Sequence, residues 1–245
     1  MKIAVFGASG KMGKEIAIAS QKRGHSSYWG FSSRENVTLE GYAHVGSSWR
    51  DELIKNADII FDFSLPQALP HVIEAVKEYR KPLVSGVTGY SDSSFDLLFE
   101  LGQSVPCFWS PNFSLGIAIL KQLVSQLAHF SEEFDFQIEE IHHNQKKDAP
   151  SGTAKLLQDA LSAQLPSDKK GLIPFPVSIR GGGVFGDHRV LAMGQDEMLI
   201  LEHRAMSRQL FATGAVKVAE WLVAKPKGVY KIDDYINDKL SKGEA

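Results

Sequence analysis

Apolar positions along this chain switch between two spacings. Residues 2–6 form an apolar run too short for a helix, so a strand is expected there. Met12, Ile16, Ala17 and Ala19 then recur at helical spacing until Gly24 closes the pattern. Strand character returns over residues 27–31, 57–63, 82–87 and 105–109. Between these runs, Ser64, Leu65 and Pro66 open a helix whose apolar face is Ala68, Val72, Ala75 and Val76. Residues 92–101 read as another helix, with Phe95, Leu98 and Leu101 turned inward. Strands alternating with helices predict a parallel sheet covered on both faces.

The rhythm changes beyond residue 113. A helix over residues 114–130 places Ile117, Leu120, Leu123, Val124 and Leu127 inward. Phe134, Phe136 and Ile138 then alternate with Asp135, Gln137 and Glu139, which predicts a strand running into His142 and His143. On a strand these neighbours point to opposite faces. Pro150 and Ser151 start a helix carrying Ala154, Leu157, Ala160, Leu161 and Leu165 on one stripe. Strand-like runs at 176–180, 185–192 and 197–204 follow, the first two separated by Gly181, Gly182 and Gly183. A helix over 206–223 has Leu210, Phe211, Ala215, Val218, Ala219 and Leu222 as its core face; Pro226 and Gly228 end it, and the tail is expected to return to the first domain. The fold class predicted is α/β: a Rossmann-type parallel-sheet domain plus a second α+β domain with an antiparallel or mixed sheet. The expected boundaries are 1–113 with 222–245, and 114–221.

Composition narrows the options only a little. The chain has 245 residues, 43% hydrophobic and 23% charged, with a formal net charge of −2. No long basic run argues for a nucleic-acid surface. No apolar run approaches membrane-spanning length, and the Met-Lys-Ile start is strand-like rather than a signal peptide. The single Cys107, in the apolar run VPCFW, points to a reducing compartment, the cytoplasm, and to a packing role.

The chemistry-bearing residues fall at the corners of this pattern. Gly7, Gly10 and Gly13 lie in GASGKMG, between the first strand and the first helix. That context makes a glycine motif meaningful: Gly7 permits a tight turn, Gly10 lets backbone approach a pyrophosphate, and Gly13 lets helix and strand close up. At the end of the next strand, where an acid commonly holds a ribose hydroxyl, stand Ser32, Ser33 and Arg34. Hydroxyls followed by guanidinium suit a 2′-phosphate, so NADPH is expected ahead of NADH. Corners GVTG at 86–89 and SPNF at 110–113 end later strands, on the side where such sheets bind ligands. The densest cluster is EEIHHNQKKDAPSGTA over residues 139–154. It sets His142, His143, Lys146 and Lys147 before a helix start whose unpaired N–H groups, at Gly152 and Thr153, can bind carboxylate or phosphate. A polar strand end with a solvated lysine loop is the bland alternative. A metal site is disfavoured, because adjacent histidines on a strand cannot ligate one ion and no Cys or H-x-x-x-H pattern accompanies them.

Taken together these segments resemble the dihydrodipicolinate reductase family. The stretch from Glu140 is similar to its E-x-H-H-x-x-K-x-D-A-P-S-G-T-A signature. GASGKMG, GVTG, SPNFSLG and HRAMSRQLFATGA follow in the family's order and span nearly the whole chain. The resemblance implies reduction of a dicarboxylic six-membered nitrogen ring by NADPH or NADH, and a homotetramer built on the second domain's mixed sheet. It implies cofactor contacts from Gly7, Ser9, Gly10, Lys11, Met12, Gly13, Ser33, Arg34, Gly86, Val87, Thr88, Ser110, Pro111, Asn112 and Phe113. His142 would be the catalytic acid and Lys146 its assistant. His143, Lys146, Ser151, Gly152 and Thr153 would hold the substrate. Ser32, Ser33 and Arg34 depart from the acid-plus-arginine pair of some members. Two rivals are a reductase of an amino-acid semialdehyde or other imine, separable by a substrate panel, and a cofactor sensor without turnover, which needs no proton donor.

Overall fold

The structure, a computed structural model, describes residues 1–33, 37–166 and 173–242. The chain divides into two compact units, Met1–Phe113 with Gln209–Ala245, and Ser114–Arg208.

In the first unit β1 (Lys2–Phe6), α1 (Lys11–Lys22), β2 (Ser26–Phe31) and β3 (Tyr42–Gly46) come first. Then come β4 (Ile59–Asp62), α2 (Leu69–Tyr79), β5 (Leu83–Ser85), α3 (Asp92–Gly102) and β6 (Pro106–Trp109). All strands pair in parallel, and β11 (Gly228–Tyr230) joins from the tail, giving the order β11-β6-β5-β4-β1-β2-β3. Ile3, Ala4, Val5, Ile59, Ile60 and Phe61 are wholly buried, as unbroken apolar runs must be in a sheet covered on both faces. The order reverses between β1 and β4, the switch point at which such sheets open a crevice.

Three expectations change here. Strand β3 was not foreseen: it is an edge strand, with Ala43 and His44 exposed, and it lacks an apolar run. Phe95 is exposed rather than inward, resting edge-on against Trp109 at 4.8 Å. Helix α6 (Gln209–Leu222), expected with the second domain, belongs to the first unit. It packs on α1, with Arg23 paired to Glu220 at 2.7 Å and Gly214 bringing the helix against the carbonyl of Phe113. The tail does return to this unit: after the break, β11 sets Val229 beside Cys107, and α7 (Ile232–Lys242) follows.

The second unit holds α4 (Leu115–Leu127), β7 (Asp135–His142), α5 (Gly152–Gln164), β8 (Val177–Arg180), β9 (Asp187–Met193) and β10 (Met198–Arg204). The sheet runs β10-β9-β7-β8, with β7 and β8 parallel and the other pairs antiparallel, so it is mixed. Helices α4 and α5 supply Ile117, Leu120, Val124, Leu157 and Leu161 to a core shared with Phe136, Ile138, Val190 and Ala192. Leu123, expected inward, is half exposed. The period of two on β7 continues past its apolar part: Phe136, Ile138, Glu140 and His142 are all buried on one face. A sheet face that begins as core therefore ends in ionisable groups.

Candidate active site

In the second unit the site is built around Glu140, whose side chain is 0% exposed. Each carboxylate oxygen takes two donors. Oε1 accepts Arg180 Nη2 at 2.7 Å and the Ser151 N–H at 3.1 Å. Oε2 accepts Arg180 Nη1 at 2.9 Å and is bonded to His142 Nδ1. The sheet register explains the assembly: His142 stands beside Arg180 across the β7–β8 pair, and Glu140 stands beside His188 across β7–β9. Burial alone would raise the Glu140 pKa, but its bonds to Arg180 and His142 outweigh that and hold it at about 2.

His142 is 7% exposed. Burial lowers its pKa below the ordinary imidazole value, the Glu140 carboxylate pulls it back up, and the charges of Lys146 and Arg180 oppose that. The His188 ring meets it edge-on at 5.1 Å. Ser151 Oγ accepts the Ala154 N–H as helix cap and is hydrogen-bonded to His188 Nε2 at 3.1 Å. Burial, with the charge of His142 adding to it, takes His188 down to about 3. A Cβ on Gly186 would lie 2.9 Å from His142 Nε2, so only glycine leaves that edge of the imidazole uncrowded.

The other expected substrate residues divide. Lys146 is paired with Asp148 through both carboxylate oxygens at 2.8 Å. His143 leaves the strand and lines a cavity of about 200 Å³ with Asn144, Gln145, Gly182, Gly183 and Arg208. Adjacent histidines thus do face different surroundings. Gly152 begins α5 with nothing within 4 Å of where a Cβ would stand, and Thr153 follows it, half buried. Ser151 is different: its N–H and hydroxyl are both engaged inside the protein, so it fixes the helix end rather than offering donors to a ligand.

In the first unit, the residues expected at the cofactor sit at the carboxyl ends of β1, β5 and β6. Gly7 has φ +84°, and a Cβ there would meet the Phe63 carbonyl at 2.4 Å. A Cβ on Gly13 would lie 2.4 Å from the Ala8 carbonyl, so the glycine does let helix and strand close up. Ser9, Gly10 and Lys11 are exposed, Met12 is half buried, and Gly10 caps α1 without a side-chain bond. The first-turn N–H groups of α1 thus have no side-chain cap from Gly10, and a helix start of this kind fits a pyrophosphate. Gly86 is needed because a side chain would run into the Phe63 ring, Val87 is buried with its carbonyl on Trp109 Nε1 at 2.9 Å, and Thr88 is exposed. Beneath this corner the buried Asp62 accepts Ser64 Oγ at 2.5 Å and Tyr90 OH at 3.1 Å, and burial pushes its pKa up.

At the third corner Ser110 Oγ donates to the Asn112 carbonyl at 2.6 Å, Pro111 is exposed and Asn112 half buried. Phe113 corrects an expectation: its ring is core, 5.5 Å from Phe63 and 5.7 Å from Phe108, so its side chain is not turned to a ligand. Ser32 is buried and Ser33 exposed at the end of β2, while Arg34 lies outside the described residues.

Sequence reasoning singled out His142, His143, Lys146 and the helix start, but not Arg180, His188, Gly186 or Arg208. Glu140 was legible only as two residues from His142, hence on its face. The others arrive through strand pairing, which one sequence does not display.

Comparison with known proteins agrees with this architecture. Residues 1–113 match the model described as dihydrodipicolinate reductase, N-terminus, and residues 116–236 match its C-terminus counterpart. A 4-hydroxy-tetrahydrodipicolinate reductase from Bdellovibrio bacteriovorus is 40% identical over 242 residues, covering 99% of each chain. The protein of that name from Anaplasma marginale is 36% identical, covering 96% of this chain and 99% of the relative. Among solved structures, a dipicolinate-bound dihydrodipicolinate reductase from Paenisporosarcina sp. TG-14 superposes with a TM-score of 0.81 at 22% identity, over 94% of this chain and 97% of that one. The chain therefore belongs to the dihydrodipicolinate reductase family.

Proposed function

We propose that the first unit carries the dinucleotide on the Gly7–Gly13 turn and that the second unit holds a dicarboxylate ring, with His142 and Lys146 supplying the proton. The chain is an NAD(P)H-dependent oxidoreductase. Its reaction is the reduction of 4-hydroxy-tetrahydrodipicolinate to tetrahydrodipicolinate in the diaminopimelate route to lysine. Bound reduced nicotinamide supplies the hydride.

The protein's own residues do the rest. Two carboxylates on the ring need cationic or N–H partners, and Lys146, His143 and the start of α5 at Gly152 and Thr153 are of that kind. After hydride arrives, the ring carries negative charge and takes up a proton. Histidine is the side chain whose ordinary pKa suits a donor near neutrality, and the charge of Lys146 stabilises the developing anion. The observation that carries this assignment is the run of bonds from imidazole to helix end: His142 to Glu140, and Glu140 to the Ser151 N–H. It holds the proton donor and the anion-binding helix turn in one fixed relation.

NADPH is the proposed preference, because Ser33 and Arg34 suit a 2′-phosphate. A homotetramer is proposed through the mixed sheet's open face, where Val177, Ile179, Met198 and Ile200 are 46%, 45%, 56% and 50% exposed. Exposed apolar side chains on both edge strands of one sheet face support association through it. Among the described residues no helix is long and apolar enough to cross a membrane. The cytoplasm is the proposed compartment, supported by the lone Cys107, buried and pushed up to about 12 by desolvation. Oxidation of NADPH and NADH by the protein, with the product of dihydrodipicolinate synthase as substrate, tests the assignment. Higher kcat/KM with NADH overturns the cofactor preference, and no turnover with either overturns the activity.

A further inference from the structure

We infer that Glu140, held by Arg180, is the positioning residue that sets which nitrogen of His142 carries the exchangeable proton, an inference that rests on His142 acting as the proton donor. The bonding pattern carries it. Both Arg180 nitrogens and the Ser151 N–H can only donate, and together they occupy three of the bonds to Glu140. A carboxylate gripped by a two-pronged guanidinium is ionised and accepts only. The fourth bond must therefore also be donated to it, so His142 Nδ1 carries a hydrogen whatever the charge of the ring. Neutral His142 is then the Nδ1–H tautomer, and the proton gained and lost sits on Nε2.

That nitrogen is the one beside Gly186, where a side chain would stand 2.9 Å away. The carboxylate also faces the imidazolium directly, which favours the protonated donor against the desolvation that disfavours it. Other charges reaching His142 come from Lys146 and Arg180, both opposing protonation. From β9 it faces His188, kept neutral by its own burial. Among the described residues, Glu140 is thus the group in contact with His142 that raises its proton affinity. It does this while also bonding the first amide of the helix start, so proton donor and substrate anchor share one buried support.

Glu140→Gln is the test, because it keeps the size and removes the charge. In the wild type, kcat should fall on the alkaline side as Nε2 loses its proton. In Glu140→Gln that limb should move to lower pH by about one unit or more, with kcat down about 100-fold or more and KM changed far less. Glu140→Asp, which restores the charge at a shorter reach, should recover part of the limb's position. Nitrogen-15 NMR of wild-type His142 should show Nδ1 protonated above the imidazole pKa, with the tautomer reversed or mixed in Glu140→Gln. An unchanged limb in a folded Glu140→Gln protein overturns the inference, as does a wild-type ring protonated on Nε2 above its pKa. Should Glu140→Gln not fold, the wild-type tautomer decides alone. Failure of the donor assignment itself looks different: His142→Gln would retain turnover, while the tautomer would still report on Glu140.

Discussion

Replacing Gly186 by alanine places a methyl group against the Nε2 edge of His142, the edge proposed to deliver the proton. The new Cβ would lie 2.9 Å from Nε2 and 3.3 Å from Cδ2, against the 3.4 Å at which ordinary contact begins. One of the two must give by about 0.5 Å, the difference between 3.4 and 2.9 Å. The imidazole has little room, since Nδ1 is tied to Glu140 and the His188 ring closes another side. Overpacking of this sort costs about 1–3 kcal/mol, and each kcal/mol lowers Tm by about 2–4 °C in a chain of this size. The larger effect is on catalysis: displacing a reacting group by up to an ångström costs about 100-fold in rate. Gly181→Ala is the internal control, because nothing lies within 4 Å of a Cβ there. Steady-state kcat and KM, with Tm by calorimetry, are measured for both. Gly186→Ala should lose kcat far beyond what its Tm loss explains, and Gly181→Ala should keep both. A Gly186→Ala enzyme with wild-type kcat would show that the Nε2 edge is not where the proton is delivered.

Three further outcomes are expected. Lys146→Ala should lower kcat and raise KM together if, as proposed, the ammonium meets a ground-state carboxylate as well as the developing anion; loss of Tm alone would make Lys146 structural, a partner of Asp148. His188 is held near pKa 3, below its unfolded value of about 6.5, so it stays neutral in the fold while the unfolded chain binds a proton. Its contribution is therefore complete above about pH 6.5 and lost as pH falls, with a slope of up to about 1.4 kcal/mol per unit. Denaturant titrations between about pH 5 and 7 should show His188→Gln flattening that slope, and an unaltered slope refutes the assignment. Ile179→Glu on the open sheet face should reduce the mass seen by sedimentation equilibrium, and an unchanged oligomer would place the interface elsewhere.

What could be read in one sequence was what is local. The strand, glycine turn and helix at residues 2–22 follow from period and from Gly7 and Gly13, whose need for no side chain the backbone geometry bears out. The run from β7 to α5 was equally legible, since alternation, Pro150, Ser151 and a stripe of apolar residues act within a few positions of one another. Edge strand β3 escaped because one face needs no apolar residue when only one neighbour covers it. Helix α6 has the same apolar stripe whichever unit it joins; only its seat on α1 shows the partner. Phe113 and Ser151 sat in motifs expected to bind ligands, but packing claims the first ring and an internal bond claims the second amide. Glu140, Arg180 and His188 meet through register between strands far apart in the chain, and no spacing rule announces such meetings.

Turnover by His142→Gln, set against the wild type, decides whether His142 is the proton donor. Reduced-nicotinamide oxidation is followed with saturating substrate, alongside NADPH binding and Tm. The expected kcat is lower by about 100- to 10,000-fold, with KM, cofactor affinity and Tm close to wild type because Glu140 keeps Arg180 and the Ser151 amide. Near-normal kcat in a folded, NADPH-binding His142→Gln protein would contradict it.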